Sequence, residues 1–256
     1  MAVIFYLSGS GNSLYAARQI ADRLENCRLE TIGSYLRKPY VVQDEVVGVV
    51  CPVYCFALPP VVAQFIEKLQ AKPNYCFGVV TIGGNQGRAL KQMSEILAAK
   101  KIILNYAQTV VMPDNFFGIP LEKRVKLLEE AEPAIAKIVG EIAEGKADVS
   151  AVKEAYLWKL FGTSASWWYL KNRLKFEEMT VDATKCISCG ICAEVCQMEN
   201  ITIVDGKPAF GNNCASCLGC FHWCPQSAIS AGKLTLDNNK RYVNPNINLR
   251  MMKGEE

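Results

Sequence analysis

The chain has 256 residues, with 28 basic against 25 acidic side chains and a formal net charge of +3; 50% of it is apolar and 21% charged. That balance excludes a disordered chain, and so mild a charge, with no block of Lys and Arg, argues against a nucleic-acid partner. The length fits one large domain or two modest ones, at roughly 100–200 residues each. In chain order, Ala2 to Leu7 reads as a strand, and Ser13 to Leu24 carries Leu14, Ala17, Ile20, Ala21 and Leu24 on one helical stripe. Leu29 to Ile32 is a candidate second strand, and Val46 to Val50 a fully apolar one of the kind covered on both faces. A helix from Pro60 to Leu69, a strand from Cys76 to Ile82, a helix from Arg88 to Lys100 and a strand from Ala107 to Val111 follow. A long helix from Leu121 to Glu144 closes the series, with Pro133 placed to kink or split it. The uncharged stretch Val46–Ile66 is long enough to span a bilayer, but Pro52, Pro59 and Pro60 would break its hydrogen-bond ladder.

Strands alternating with crossover helices give a parallel sheet with helices on both faces, and periodicity leaves the flavodoxin-like order and a Rossmann half equally open. From Asp148 the pattern changes. Tyr156, Trp158, Phe161, Trp167, Trp168 and Tyr169 crowd one stretch, followed by Lys171, Arg173 and Lys175. This reads as a connecting arm whose rings pack between domains, with a membrane-surface segment as the alternative. The expected division is 1–147, an arm over 148–178, a cysteine-rich module over 179–233 and a surface tail over 234–256 with a disordered end. The opening residues show no basic leader with a cleavage site, so a reducing, cytoplasmic setting is expected.

Twelve cysteines are the anomaly, eight of them between Cys186 and Cys224. Cys186-x2-Cys189-x2-Cys192-x3-Cys196 is followed by Cys214-x2-Cys217-x2-Cys220-x3-Cys224-Pro225. Three cysteines two residues apart wrap a tight loop around three corners of an iron–sulfur cube, and the fourth ligates the other cube. Cys186, Cys189, Cys192 and Cys224 are therefore expected to hold one [4Fe-4S] cluster, and Cys214, Cys217, Cys220 and Cys196 a second. Zinc and disulfides are the alternatives; zinc leaves the third and fourth cysteines of each run unexplained. These two runs resemble the bacterial two-cluster ferredoxin. Gln197 stands where that family has proline, so a looser turn after Cys196 is expected. His222, the only histidine, reads as a helix residue shielding a cluster, and Cys27, Cys51, Cys55 and Cys76 as small apolar residues.

Ser8-Gly9-Ser10-Gly11-Asn12-Ser13 runs from the first strand into a helix, where backbone N–H groups and hydroxyls make a phosphate cradle. It is neither a P-loop, having no following lysine, nor a complete GxGxxG. Ser8, Ser10, Gly11, Asn12 and Ser13 resemble the flavodoxin phosphate-binding loop. That resemblance implies FMN, with Pro52 and Tyr54 in one ring-contacting loop and Thr81, Gly83, Gly84, Asn85 and Gly87 in another. The acidic residues common around a flavodoxin ring are missing from both loops. Met112-Pro113-Asp114-Asn115-Phe116-Phe117 looks like a further shared segment, with Asn115 a candidate to approach the flavin.

Together the halves resemble the flavodoxin–ferredoxin fusion proteins. The resemblance implies a doubly wound five-stranded parallel sheet of order 2-1-3-4-5 followed by a small α+β two-[4Fe-4S] module. The function it implies is electron transfer between the clusters and FMN, with no catalytic side chains assigned. A reductase of quinone, flavin or nitro acceptors and a redox-sensing or docking protein remain the alternatives. The expected partners are redox proteins, either ferredoxin-type donors or flavoenzymes, rather than nucleic acid or membrane. Residues 179–256 hold seven basic and seven acidic side chains, so two loaded clusters would make this region acidic.

Overall fold

The computed structural model describes residues 1–116, 118–153, 168, 172, 178–232 and 241–255. Most of the expected aromatic arm, Phe117, Lys233 and the first part of the tail lie outside the described residues. Among those described, no helix is long and apolar enough to cross a membrane.

Five strands, β1 (Ala2–Tyr6), β2 (Cys27–Thr31), β4 (Val46–Pro52), β6 (Tyr75–Ile82) and β7 (Tyr106–Val111), form one sheet in the order β2-β1-β4-β6-β7. All four pairings are parallel. Counting these five alone, the order is 2-1-3-4-5, the flavodoxin-like doubly wound arrangement, which decides what periodicity had left open. Strands β1 and β6 are almost wholly buried, as their unbroken apolar runs require once both faces are covered. One face carries α2 (Ile32–Arg37), α3 (Pro60–Lys68) and α4 (Ala89–Ala99), which bury Tyr35, Phe65, Ile66, Met93 and Leu97 against Phe5, Val49 and Val80. The other carries α1 (Asn12–Ala21) and α5 (Leu121–Ala143), which bury Leu14, Ile20, Ile135 and Ile142 against Ile4, Val50 and Phe77.

Two short strands, β3 (Val41–Val42) and β5 (Gln70–Ala71), form a separate parallel pair that two-residue segments could not announce in the sequence. Helix α2 replaces the end of the expected second strand, because the Thr31 hydroxyl accepts the Ser34 N–H at 3.0 Å and caps a helix there. Helix α5 runs through Pro133 as one element, neither split nor ended by it.

The cysteine-rich module is an internal duplication with a 28-residue offset, Cys186 onto Cys214. Strand β8 (Met179–Val181), helix α6 (Ile191–Glu194) and strand β9 (Ile201–Val204) repeat as β10 (Lys207–Phe210), α7 (Gly219–His222) and β11 (Ile229–Ala231). Strands pair across the repeats, β8 with β11 and β9 with β10, both antiparallel. Even the left-handed backbone positions repeat: Ser188 and Ser216, Gly190 and Leu218, Glu199 and Ser227.

The C-terminal segment does more than drape over the surface. Asn248 caps α8 (Leu249–Lys253) by accepting the Met251 N–H at 3.0 Å, and Lys253 pairs with Glu194 of the module at 2.8 Å. Tyr242, Asn244, Ile247 and Met252 are buried. Ile247 and Met252 join the α1/α5 core together with Val195, while Met198 and Ala215 join the core on the opposite face. The module and the tail thus close over the carboxyl ends of the sheet strands.

Candidate functional site

Cys186, Cys189, Cys192 and Cys224 line one cavity together with Gly190, Ile191 and Pro225. This is the ligand set the spacing predicts, drawn from both repeats. Cys189 is exposed at its rim and Cys192 buried. The second set is also close together: Cys214 and Cys196 act electrostatically on Cys217, and all three act on Cys220, as does Cys192 of the first set. Among the described residues no three His, Cys, Asp or Glu side chains converge on a single-ion site.

The backbone is arranged for sulfur. The N–H of Asn200 donates to Cys196 Sγ, that of Ser216 to Cys214 Sγ and that of Ala228 to Cys224 Sγ, each at 3.3 Å. Such N–H···S bonds stabilise thiolates around an iron–sulfur core. Burial pushes the Cys217 thiol up to about 12 in the chain alone, against the Gly219 N–H that favours its thiolate.

A second cavity opens at the carboxyl ends of β1, β4, β6 and β7. Of the residues predicted to hold FMN, Ser8, Ser10, Asn12, Ser13, Pro52, Tyr54, Thr81 and Gly83 line it, whereas Gly11, Gly84, Asn85 and Gly87 do not. Gly11 instead ends the loop in a left-handed conformation (φ 98°), with Asn244 and Ile247 packed against it. Asn85 accepts the Gly87 N–H at 2.7 Å, shaping its own turn. Asp114 and Asn115 also line the cavity, so the carboxylate missing from the two ring loops arrives from a third, after β7. Tyr54 and Ala57 exchange backbone hydrogen bonds around Cys55 and Phe56, both at positive φ, a tight turn rarely built without glycine or asparagine. Cys51 and Cys76 are buried, while Cys27 and Cys55 are only half-buried; burial raises all four thiols, Cys55 and Cys27 to about 11. None is primed as a nucleophile.

The helix α1 N-terminus has no side-chain cap, and its first internal bond runs from Tyr15 N–H to the Gly11 carbonyl. The N–H groups of Asn12, Ser13 and Leu14 therefore lack intrahelical acceptors. The buried Ser8 hydroxyl has no partner among the described residues. Asn12 spends both ends of its amide inside the protein. Its Nδ2 donates to the Pro113 carbonyl at 3.0 Å, and its Oδ1 accepts from the Tyr242 hydroxyl at 2.8 Å and from Asn244 Nδ2 at 3.1 Å. With both ends of its amide so engaged, the cradle that remains is backbone and serine.

The two sites share a wall. A Cβ on Gly9 would run into the carbonyl of Cys217, so the loop and the second cysteine run touch through backbone. The Trp223 indole N–H donates to the Gly9 carbonyl at 3.0 Å, and the Ser8 N–H donates to Gln197 Oε1 at 3.1 Å. Cys214 and Cys217 are among the groups acting on the Tyr54 hydroxyl. Gln197 is not a loose replacement for proline: it is buried, and its carbonyl accepts from Arg37 Nη1 at 2.8 Å. His222 is buried on α7, and its Nδ1 accepts the Tyr242 N–H at 3.3 Å.

Residues 179–202 match the family described as Fer4, 4Fe-4S binding domain. No curated protein matches the chain. Among solved structures, the Trp repressor binding protein of Bacillus subtilis is 12% identical over 53% of this chain and 98% of its own, with a TM-score of 0.35. Two-electron reduced Megasphaera elsdenii flavodoxin is 19% identical over 54% and 99%, with a TM-score of 0.35. An FMN-dependent NADH-azoreductase from Bacillus anthracis, in complex with FMN, is 10% identical over 54% and 99%, with a TM-score of 0.34. The fold of the N-terminal half rests on its strand order rather than on these overlaps. The N-terminal half thus carries a flavodoxin-like sheet, and residues 179–202 after it match the 4Fe-4S binding family.

Proposed function

We propose that the protein transfers electrons between two [4Fe-4S] clusters and FMN. The observation that carries this is the shared wall: the loop suited to a phosphate and the second cysteine run meet at Gly9 and Cys217. Iron–sulfur clusters exchange single electrons and FMN one or two, which is the chemistry these groups supply when bound. The chain's own part is to hold and to space them. Cys196, Cys214, Cys217 and Cys220 would hold the cluster beside the flavin loop, and Cys186, Cys189, Cys192 and Cys224 the one farther out. The uncapped start of α1 with Ser8, Ser10 and Ser13 suits the FMN phosphate. Tyr54, Thr81 and Gly83, with Asp114, face the remainder of that cavity. Exposed Cys189 and Ile187 at the outer set offer the face for a redox protein, a ferredoxin-type donor or a flavoenzyme.

Anaerobic purification of the full chain is expected to give about eight iron, eight sulfide and one FMN per polypeptide. Iron near four would remove one ligand set, zinc in its place would overturn the redox reading, and absence of flavin would overturn the use of the loop.

The tail adds a sharper test of the cradle. Tyr242→Phe removes the hydroxyl that holds Asn12, at a cost of about 1 kcal/mol for a buried hydrogen bond. FMN binding, followed by quenching of its fluorescence, is expected to weaken about fivefold, with iron content unchanged. Equal affinity in the two proteins would show that Asn12 needs no such support.

A further inference from the structure

Arg241 reaches from the tail into the middle of the cysteine-rich module. Its guanidinium carbon lies 3.8 Å from the centre of the Phe221 ring, between the ligands Cys220 and Cys224 in sequence. Nη2 donates to the Ile229 carbonyl at 2.7 Å, next to Ala228, whose N–H bonds Cys224 Sγ. Nε and Nη1 are buried with no oxygen or nitrogen acceptor among the described residues, and the Cys224 thiol is the side chain that hydrogen-bonds the guanidinium. The groups of opposite sign acting on this side chain are the thiols of Cys224 and Cys220, with no carboxylate among the described residues joining them. Arg124, a further cation among the described residues, donates to the Arg241 carbonyl at 3.3 Å and lies over Tyr242, adding positive charge rather than offsetting it.

A guanidinium taken out of water needs an anionic partner and acceptors for its remaining N–H groups. In the protein alone this one has neither in full. A loaded iron–sulfur core supplies both, because its thiolates and sulfides carry net negative charge and accept hydrogen bonds. Cys224 belongs to the outer ligand set and Cys220 to the set beside the flavin loop, so one side chain faces a ligand of each.

Building on the two-cluster reading above, we propose that Arg241 tunes both [4Fe-4S] clusters, its fixed positive charge favouring their reduced forms and raising their reduction potentials together. Reduction adds negative charge beside a cation that cannot lose its proton. The tail therefore links two tasks in consecutive residues: Arg241 on the clusters, and Tyr242 on the loop through Asn12.

The test is a stepwise anaerobic titration of the full-length holoprotein with dithionite, cluster reduction being followed by electron paramagnetic resonance. Arg241→Gln removes the charge and is expected to shift both reduction equilibria at least tenfold against reduction, about 59 mV lower for a one-electron couple. Arg241→Lys keeps the charge and is expected to keep most of the parent potential, a rescue that a purely structural role would not give. Should the glutamine variant fail to fold, Arg241→Met keeps apolar packing over Phe221 and carries the same expectation. Unchanged potentials in a charge-free variant that retains about eight iron would overturn the proposal. So would loss of both clusters in all three variants, which would make the side chain an assembly element. A parent protein without iron would instead overturn the cluster reading itself, so the two failures are distinguishable.

Discussion

Cys217→Ala is expected to lose at least half of the iron, leaving about four atoms or fewer, and also to loosen FMN about tenfold. Cys189→Ala is expected to lose similar iron and leave FMN binding where it was. The asymmetry follows from what each loop touches. Cys189 sits on the exposed rim of the outer cavity, and the residues around it come from the module alone. Cys217 is half-buried, and its carbonyl lies directly against Gly9 of the phosphate loop. The Gly219 N–H that supports its thiolate belongs to the same turn. Without a cluster to wrap, the 214–220 turn loses the geometry fixed by its sulfurs. Its left-handed Ser216 and Leu218, at φ 56° and 58°, are conformations that non-glycine residues hold only when their surroundings impose them. Relaxation there moves the wall of the flavin loop. A tenfold loss is about 1.4 kcal/mol, a modest demand on a loop that also loses support for the Trp223–Gly9 hydrogen bond. The measurements are iron per chain and FMN affinity by fluorescence, in both variants. Equal loss of FMN in the two, or in neither, would show that the ligand sets stand in the same relation to the flavin loop.

The parts of this molecule legible in its sequence are those written in local pattern. The cysteine spacing divides eight cysteines into two candidate sets, and one cavity brings together Cys186, Cys189, Cys192 and Cys224. Apolar runs located the five strands, and the serine–glycine turn located the loop. What stayed hidden is carried by single polar residues meeting across the chain. Ser8 meets Gln197 across 189 positions and Asn12 meets Asn244 across 232. Gln197 looked like a lapse from a proline pattern because its partners, Ser8 and Arg37, lie in another domain. Residues 241–248 show no periodicity, so nothing marked Tyr242 and Asn244 as buried; their place is set by the hollow between α1 and the module. Asp114 was visible in its own segment, but only the sheet topology brings the end of β7 beside the ends of β4 and β6. Gly9 holds the motif's unassigned position in the loop, and the demand for glycine there comes from the Cys217 carbonyl of the cysteine-rich module.

That demand sets the other large effect: Gly9→Ala is expected to undock the module. The new methyl group would occupy the position of the Cys217 carbonyl, and backbone on both sides leaves no flexible side chain to yield. Overpacking of this kind costs about 1–3 kcal/mol where neighbours can adjust, and here the upper end applies. At about 2–4 °C per kcal/mol for a chain of this size, the melting temperature should fall by roughly 6–12 °C. Separation also exposes Ser8 N–H and Gln197 Oε1, so protease cleavage between the domains should accelerate in the same variant. Gly33→Ala meets the Gln197 carbonyl in the same way and should behave alike, because α2 and the phosphate loop grip the module through the same residue. Gly140→Ala, in the middle of α5 with nothing near the added carbon, is the control and should raise stability by about 0.5–1 kcal/mol. If Gly9→Ala melts with the parent protein and keeps its protease resistance, the module does not bear on the phosphate loop, and the two redox sites lose their common wall.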